Sequence, residues 1–183
     1  MAKPRKTWRE KLLDDKDLPK VSVIEGKLSK RWGEGTCVIP APREVDVIMK
    51  AVPKGRLITT KEIQAKIAQK HHATMACPMC CGIFAWIAAH AADEAESEGA
   101  KRITPYWRTL KSGGELNPKF PGGVEVLKVR LEAEGHRVVT KGKKWIVADY
   151  ESRLVSSGSS ERAKRSSRAS SRGQPAKSAG PDR

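Results

Sequence analysis

Three cysteines lie close together in the middle of the chain, at Cys77, Cys80 and Cys81. The first two form a C-x-x-C spacing, which occurs in zinc sites and in thiol redox centres. A closed zinc site usually draws on a second, separated pair of ligands, whereas the preceding His71 and His72 are adjacent. We favour burial of Cys80 and Cys81 as small side chains at a helix start as the explanation of the cluster. We therefore predict no metal and no cofactor, and keep an enzyme using these thiols as an alternative.

A second chemically informative region follows. Residues 103–110 read I-T-P-Y-W-R-T-L, a Pro-Gly-Gly turn lies at 121–123, and residues 131–138 read L-E-A-E-G-H-R-V. Their order and spacing resemble the active-site half of the methylguanine-DNA methyltransferases. In that family I-P-C-H-R-V precedes a Gly-Gly turn and a helix end L-L-x-x-E-G, and the cysteine accepts the alkyl group from damaged guanine. The resemblance spans roughly residues 42–139 and covers the family's DNA-binding domain.

The acceptor position departs from the family. Tyr106 stands where the family has its cysteine, and Trp107 stands where it has the adjacent histidine. Alkyl transfer needs a thiolate, and a tyrosine hydroxyl with a pKa of about 10 is a poor nucleophile at neutral pH. The resemblance therefore implies a non-catalytic protein, similar to the alkyltransferase-like members. The remnant pocket that it assigns consists of Pro105, Tyr106, Trp107, Arg108, Phe120, Gly122, Gly123 and Glu134.

Two consecutive helices would position a DNA contact. Thr59 and Glu62 form a capping box, after which Ile63 and Ile67 share one helical face. A second helix is predicted from about Met79 to Glu96. Two helices with a short connection, the second starting with small residues, are typical of a helix-turn-helix.

Other patterns complete the fold. A helix with Val45, Ile48 and Met49 on one face precedes this pair, a last helix covers residues 124–134, and a hairpin is predicted over 138–147. We predict a mainly α fold with small β elements, a winged helix-turn-helix-like DNA-binding domain of the alkyltransferase type with flexible basic arms. The predicted divisions are an N-terminal basic arm with short extended pieces at 1–42, the DNA-binding domain at 43–150 and a disordered basic tail at 151–183.

The net charge of +15 favours a polyanionic partner, and the resemblance makes it double-stranded DNA, plain or alkylated, with repair proteins as further partners. Thr60 and Met79 stand near the family's phosphate-rotating tyrosine and stacking arginine, and small residues at the second helix start allow close approach to DNA. Lysines and arginines would supply phosphate contacts. The expected DNA-binding residues are Lys54, Arg56, Thr60, Lys61, Lys66, Met79, Cys80, Cys81, Gly82, Lys101, Arg102 and Lys111.

Neither a signal peptide nor a membrane span is predicted, and we expect a cytoplasmic protein, nucleoid-associated in a bacterium. Two alternatives to non-catalytic DNA binding stay open. One is an active methylated-DNA cysteine methyltransferase, or another thiol enzyme that uses Cys77, Cys80 or Cys81. The other is an interaction scaffold that has lost DNA binding.

Overall fold

The computed structural model describes residues 6–155 as a mainly helical chain with small sheets. No helix in this range is long and apolar enough to cross a membrane. The helices are α1 (Trp8–Leu13), α2 (Ser29–Trp32), α3 (Pro42–Lys50), α4 (Thr60–Lys70), α5 (Pro78–Ser97), α6 (Gly123–Glu132) and α7 (Tyr150–Arg153). The strands are β1 (Lys20–Val23), β2 (Thr36–Ile39), β3 (Ile58–Thr59), β4 (Met75–Ala76), β5 (Thr109–Leu110), β6 (Val138–Lys141) and β7 (Lys144–Val147).

The strands form three small sheets. In the first, β2 is central, antiparallel to β1 with Lys20 opposite Ile39 and parallel to β4 with Cys37 opposite Met75. In the second, β3 and β5 are parallel. In the third, β6 and β7 form an antiparallel hairpin. The β3–β5 pair joins the start of α4 to the segment that follows Tyr106.

Helix α5 forms the centre of the core. Its buried face consists mostly of alanines, including Ala85, Ala88 and Ala92, whose small side chains let α3 and α4 approach closely. Helix α3 contributes Val45 and Met49, both fully buried, as their helical spacing predicts. At 1.5 Å per residue, the 20 residues of α5 extend for about 30 Å, so its two ends lie in different parts of the molecule.

The predicted capping box and the helices that follow from it are present. The Thr59 backbone N–H donates to the Glu62 carboxylate at 2.8 Å, and α4 begins at the next residue. The predicted second helix, last helix and hairpin correspond to α5, α6 and β6–β7.

The N-terminal segment is more structured than the predicted arm. Its two extended pieces pair as β1 and β2, and α1 packs against α5. A six-residue helix is too short to show an apolar period. However, Thr7 and Glu10 form a capping box that is visible in the sequence as T-x-x-E.

The fold also extends beyond residue 150. The Leu57 N–H donates to the Arg153 carbonyl at 2.9 Å, and the Val155 N–H donates to the Leu57 carbonyl at 2.9 Å. Residues 151–155 therefore pack against the segment that leads into β3. The predicted disordered tail from residue 156 onward lies outside the described residues.

Candidate nucleic-acid interface

Tyr106, at the position of the family's acceptor cysteine, lies in the core. It begins a 3-10 turn (Tyr106–Arg108), and its side chain is fully buried. Its ring centroid lies 5.5 Å from that of Trp107 and 6.0 Å from that of Phe120, both edge to face. Burial raises the pKa of the Tyr106 hydroxyl, which makes it a still weaker nucleophile.

Glu134 lies at the centre of a closed hydrogen-bond network. The Trp107 indole N–H donates to one carboxylate oxygen at 2.8 Å. Trp107 stands at the position that the resemblance gives to a histidine. The Arg108 guanidinium binds both oxygens, with Nε at 2.9 Å from Oε2 and Nη2 at 2.7 Å from Oε1. The Gly55 N–H donates to Oε2 at 3.1 Å. Both oxygens of this carboxylate are occupied by these donors, and Glu134 forms an ion pair with Arg108.

Arg130 of α6 covers the same cluster from outside. Its guanidinium carbon lies 4.6 Å from the Trp107 ring centroid and 5.5 Å from that of Tyr106. Its Nη2 also forms an ion pair with Glu96 at 2.6 Å. Aromatic packing and Arg130 therefore fill the space around Tyr106 and Phe120, at the remnant pocket that the resemblance assigns.

Gly122 and Gly123 have a structural role at this site. Gly122 has φ +71°, and a Cβ there would come within 2.4 Å of the Val126 side chain. A residue with a side chain would be strained at this position, so the glycine permits the tight turn into α6. Pro105 is buried and precedes the 3-10 turn.

All four cysteines are free, and Cys80 and Cys81 are poorly suited to nucleophilic chemistry. Burial raises the pKa of Cys80 to about 12, with a further contribution from the Cys77 thiol. Burial also raises the pKa of Cys81 to about 12. Because the thiolate is the reactive form, these values count against Cys80 and Cys81 as nucleophiles. No group of three or more potential ligands with the geometry of a metal site occurs among residues 6–155.

An open space lies beside the first half of α5. A cavity of about 830 Å³ separates this half-helix from the loop of residues 111–119, with Thr60 at the start of α4 on its edge. That volume falls in the range of about 300–1,000 Å³ typical of ligand sites. The lining residues are Thr60, Pro78, Met79, Gly82, Ile83, Trp86, His90, Lys111, Asn117, Pro118 and Lys119.

An apolar stripe on α5 faces this cavity. Met79 is 67% exposed and Ile83, one turn later, is 47% exposed. Trp86 and His90 continue the stripe, and the Trp86 indole N–H donates to the Lys119 carbonyl at 2.9 Å. That bond holds the loop against the helix, so the cavity has a fixed aromatic wall.

The structure brings together part of the predicted DNA-binding set. Thr60, Met79, Gly82 and Lys111 line the cavity, and Lys61 is exposed beside Thr60. Others lie elsewhere or are engaged in the fold. Cys81 is buried and Cys80 is half-buried. The Arg56 guanidinium donates to the Leu154 carbonyl at 2.6 Å. Lys101 and Arg102 follow the far end of α5. Lys54 is exposed and Lys66 half-buried, and neither lines the cavity.

Seven lining residues were absent from the predicted site: Pro78, Ile83, Trp86, His90, Asn117, Pro118 and Lys119. For the residues on α5, the sequence did contain a signal of a shared helix face. Met79 and Ile83 are spaced i, i+4, and so are Trp86 and His90. The sequence does not distinguish such a stripe from a core face, because both are apolar.

No protein-family model and no curated protein sequence matches the chain. Among solved structures, it is similar to S. pombe Atl1 in complex with damaged DNA containing O6-carboxymethylguanine, with 17% identity and a TM-score of 0.42. It is also similar to S. pombe ATL in complex with DNA, with 17% identity and a TM-score of 0.46. Each comparison covers 63% of this chain and 94% of the other.

Proposed function

We propose that this protein binds double-stranded DNA, plain or alkylated, without transferring an alkyl group. The observation that carries the proposal is the contrast between two neighbouring sites. The acceptor position is closed by Tyr106 and the Glu134 network, whereas an aromatic cavity with lysines on its rim lies open beside α5. Binding without transfer accounts for both features, and for the sequence resemblance to the methylguanine-DNA methyltransferases.

Alkyl transfer has no nucleophile at the acceptor position. The Tyr106 hydroxyl is buried and its pKa is raised by that burial. The carboxylate that would orient a base is held by Arg108 and Trp107. The indole of Trp107 has an N–H donor but no basic nitrogen, so it is unable to accept a proton as histidine does.

The rim of the cavity carries charges that suit a phosphate backbone. Lys111 and Lys119 line it, and Lys61 lies at the start of α4. The β6–β7 hairpin adjoins the same loop, since the Leu116 N–H donates to the Trp145 carbonyl at 2.9 Å. The exposed hairpin tip adds Lys141 and Lys143. In this arrangement α4 and α5 act as the helix-turn-helix and the hairpin acts as the wing.

The aromatic wall suits an unstacked base. A base that leaves the duplex loses its stacking, and an aromatic side chain restores about 1–3 kcal/mol per base. Trp86 and His90 offer such surfaces, and exposed Met79 is an apolar side chain of the kind that inserts between base steps. A role in marking alkylated bases for repair proteins follows from this arrangement and the resemblance.

Two measurements on the full chain test the proposal. The first is a salt titration of duplex binding by fluorescence anisotropy, for a plain duplex and the same duplex with one O6-methylguanine. We expect the logarithm of the affinity to fall linearly with the logarithm of salt concentration. The second is intact mass after incubation with the methylated duplex, where we expect no gain of a methyl group.

A matched pair of variants ties the binding to the cavity. Lys119→Glu should weaken binding to both duplexes, whereas Lys16→Glu makes the same charge change at an exposed lysine outside the cavity and should have a smaller effect. Equal effects of both variants would indicate attraction to net charge alone. An absence of binding at low salt would favour the scaffold alternative, and a methylated protein would favour the enzyme.

A further inference from the structure

The N-terminal helix α1 lies outside the region of family resemblance, yet it packs behind the aromatic wall of the cavity. Trp8 stacks on His90 with ring centroids 4.5 Å apart and planes 22° apart. The same indole meets Trp86 edge to face at 4.6 Å. Trp86 and His90 contact each other at 4.9 Å. The three rings form a continuous cluster, of which His90 and Trp86 line the cavity.

Helix α1 is held in this position by the acidic end of α5. The Glu94 carboxylate accepts hydrogen bonds from the backbone N–H groups of Trp8 at 3.4 Å and Arg9 at 3.0 Å. The Arg9 guanidinium also forms an ion pair with Glu98 at 2.5 Å. A carboxylate at a helix N-terminus is favourable because it satisfies free N–H groups and the helix dipole. Since an isolated six-residue helix is unstable, α1 depends on these contacts and on Trp8.

The cluster constrains His90 on the side away from the cavity. Stacking on Trp8 limits rotation of the imidazole, and contact with Trp86 limits its tilt. The ring nitrogens of His90 are groups able to donate or accept a hydrogen bond in a mostly apolar wall. A side chain positioned in this way before binding loses less rotational freedom when it contacts a ligand.

We propose that α1 is part of the base-binding site and that Trp8 is its positioning residue. Trp8 holds His90 and Trp86 in the orientation that receives an unstacked base, while His90 and Trp86 make the contact. This inference rests on the proposed function, since it assigns the wall of the same cavity.

The test compares affinities for a plain duplex and for the same duplex carrying O6-methylguanine. Trp8→Ala should reduce the preference for the methylated duplex about five-fold, the loss expected when one base–aromatic contact is weakened. Its affinity for the plain duplex should stay the same, because phosphate contacts come from lysines outside the cluster. Trp8→Phe keeps an aromatic ring and should retain most of the preference. Leu13→Ala changes an exposed residue at the other end of α1 and is the matched control.

A mutant cycle distinguishes positioning from general stability. If Trp8 acts through His90 and Trp86, adding Trp8→Ala to a protein that already carries His90→Ala and Trp86→Ala should cause no further loss of preference. Additive losses, or an unchanged preference in folded Trp8→Ala, would overturn the inference and leave the proposed function intact. A parent protein that binds neither duplex would overturn both, whereas equal affinity of the parent for the two duplexes would overturn the inference alone.

Discussion

At the scale of single residues, Glu134 joins three separate parts of the chain. Its carboxylate accepts hydrogen bonds from the 3-10 turn through Trp107 and Arg108 and from the turn after α3 through Gly55. Arg108 extends this junction by donating to the Val52 carbonyl at 2.6 Å. The residues that the family resemblance assigns to chemistry therefore stabilise the fold here.

Replacement of the acceptor residue alone should not create an alkyltransferase. In Tyr106→Cys the new thiol would lie at a fully buried position beside Trp107, with no histidine to lower its pKa. We expect no methyl gain by intact mass after incubation with methylated duplex. Stoichiometric methylation of the variant would show that the fold supplies an activating group elsewhere.

Arg108→Ala should destabilise the fold strongly, because it leaves the buried Glu134 carboxylate without its cation. Removal of one partner from a buried ion pair costs about 3–5 kcal/mol, and both side chains here are largely buried. Urea unfolding should show the loss, and Arg108→Lys should recover only part of it because lysine lacks the planar fork. Lys6→Ala breaks an exposed ion pair with Asp14 and should change little. A small effect of Arg108→Ala would mean that water replaces the guanidinium.

Glu134 should also make the fold sensitive to acid. Burial by itself raises the pKa of this carboxyl, but hydrogen bonds from Arg108, Trp107 and the Gly55 N–H outweigh it and hold the pKa below its ordinary value. The stabilisation is present above the unfolded-state pKa of about 4.3 and is lost as pH falls through the folded-state value. Unfolding free energies measured over this window should fall more steeply for the parent than for Glu134→Gln. Parallel curves would contradict this assignment.

At the scale of secondary-structure elements, the β6–β7 hairpin extends the basic rim of the cavity. Lys144 forms an ion pair with Glu115 at 3.1 Å, and Glu115 also binds Lys111 at 2.6 Å. Lys141 and Lys143 form no such pair within residues 6–155. Within this hairpin, the charge free to meet a phosphate therefore lies at the tip.

The double variant Lys141→Ala with Lys143→Ala should flatten the salt dependence of duplex binding. The slope should decrease by about 0.9 for each lysine that contacts a phosphate. The variant should melt like the parent, since both side chains are exposed. Lys20→Ala with Lys27→Ala removes the same charge from the N-terminal region and is the control. If both double variants shift the slope equally, the hairpin has no special role.

At the scale of the whole molecule, positive charge is distributed over the fold and the C-terminal segment. Residues 156–183 contain seven basic and two acidic residues of a chain with net charge +15. This segment is rich in serine, arginine and glycine, and its sequence has no apolar periodicity. Positive charge of this kind contributes an affinity for DNA that depends on salt and not on base sequence.

Deletion of residues 156–183 should leave the melting temperature nearly unchanged and make the salt dependence of DNA binding less steep. Deletion from residue 151 should instead lower the melting temperature, because it removes the backbone hydrogen bonds of Arg153 and Val155 with Leu57. An unchanged slope after the shorter deletion would show that this segment does not contact DNA.

Local sequence patterns by themselves determined the main helices, the hairpin and the presence of Tyr106 where the resemblance places a cysteine. The Thr59–Glu62 capping box, the face of Val45 and Met49 and the glycines of the α6 turn each depend on residues close in sequence. Interactions of this range are set by backbone geometry and side-chain period, which a single sequence displays.

Only the tertiary structure decided which apolar residues are core and which are surface. Tyr106 is buried and Met79 is exposed, although both lie in segments rich in apolar residues. Trp8 and His90 are 82 positions apart in the numbering of the chain, and no local pattern relates them. Their contact arises because Glu94 and Trp86 on α5 provide a surface for α1, and long-range packing of this kind follows from the whole fold rather than from any one segment.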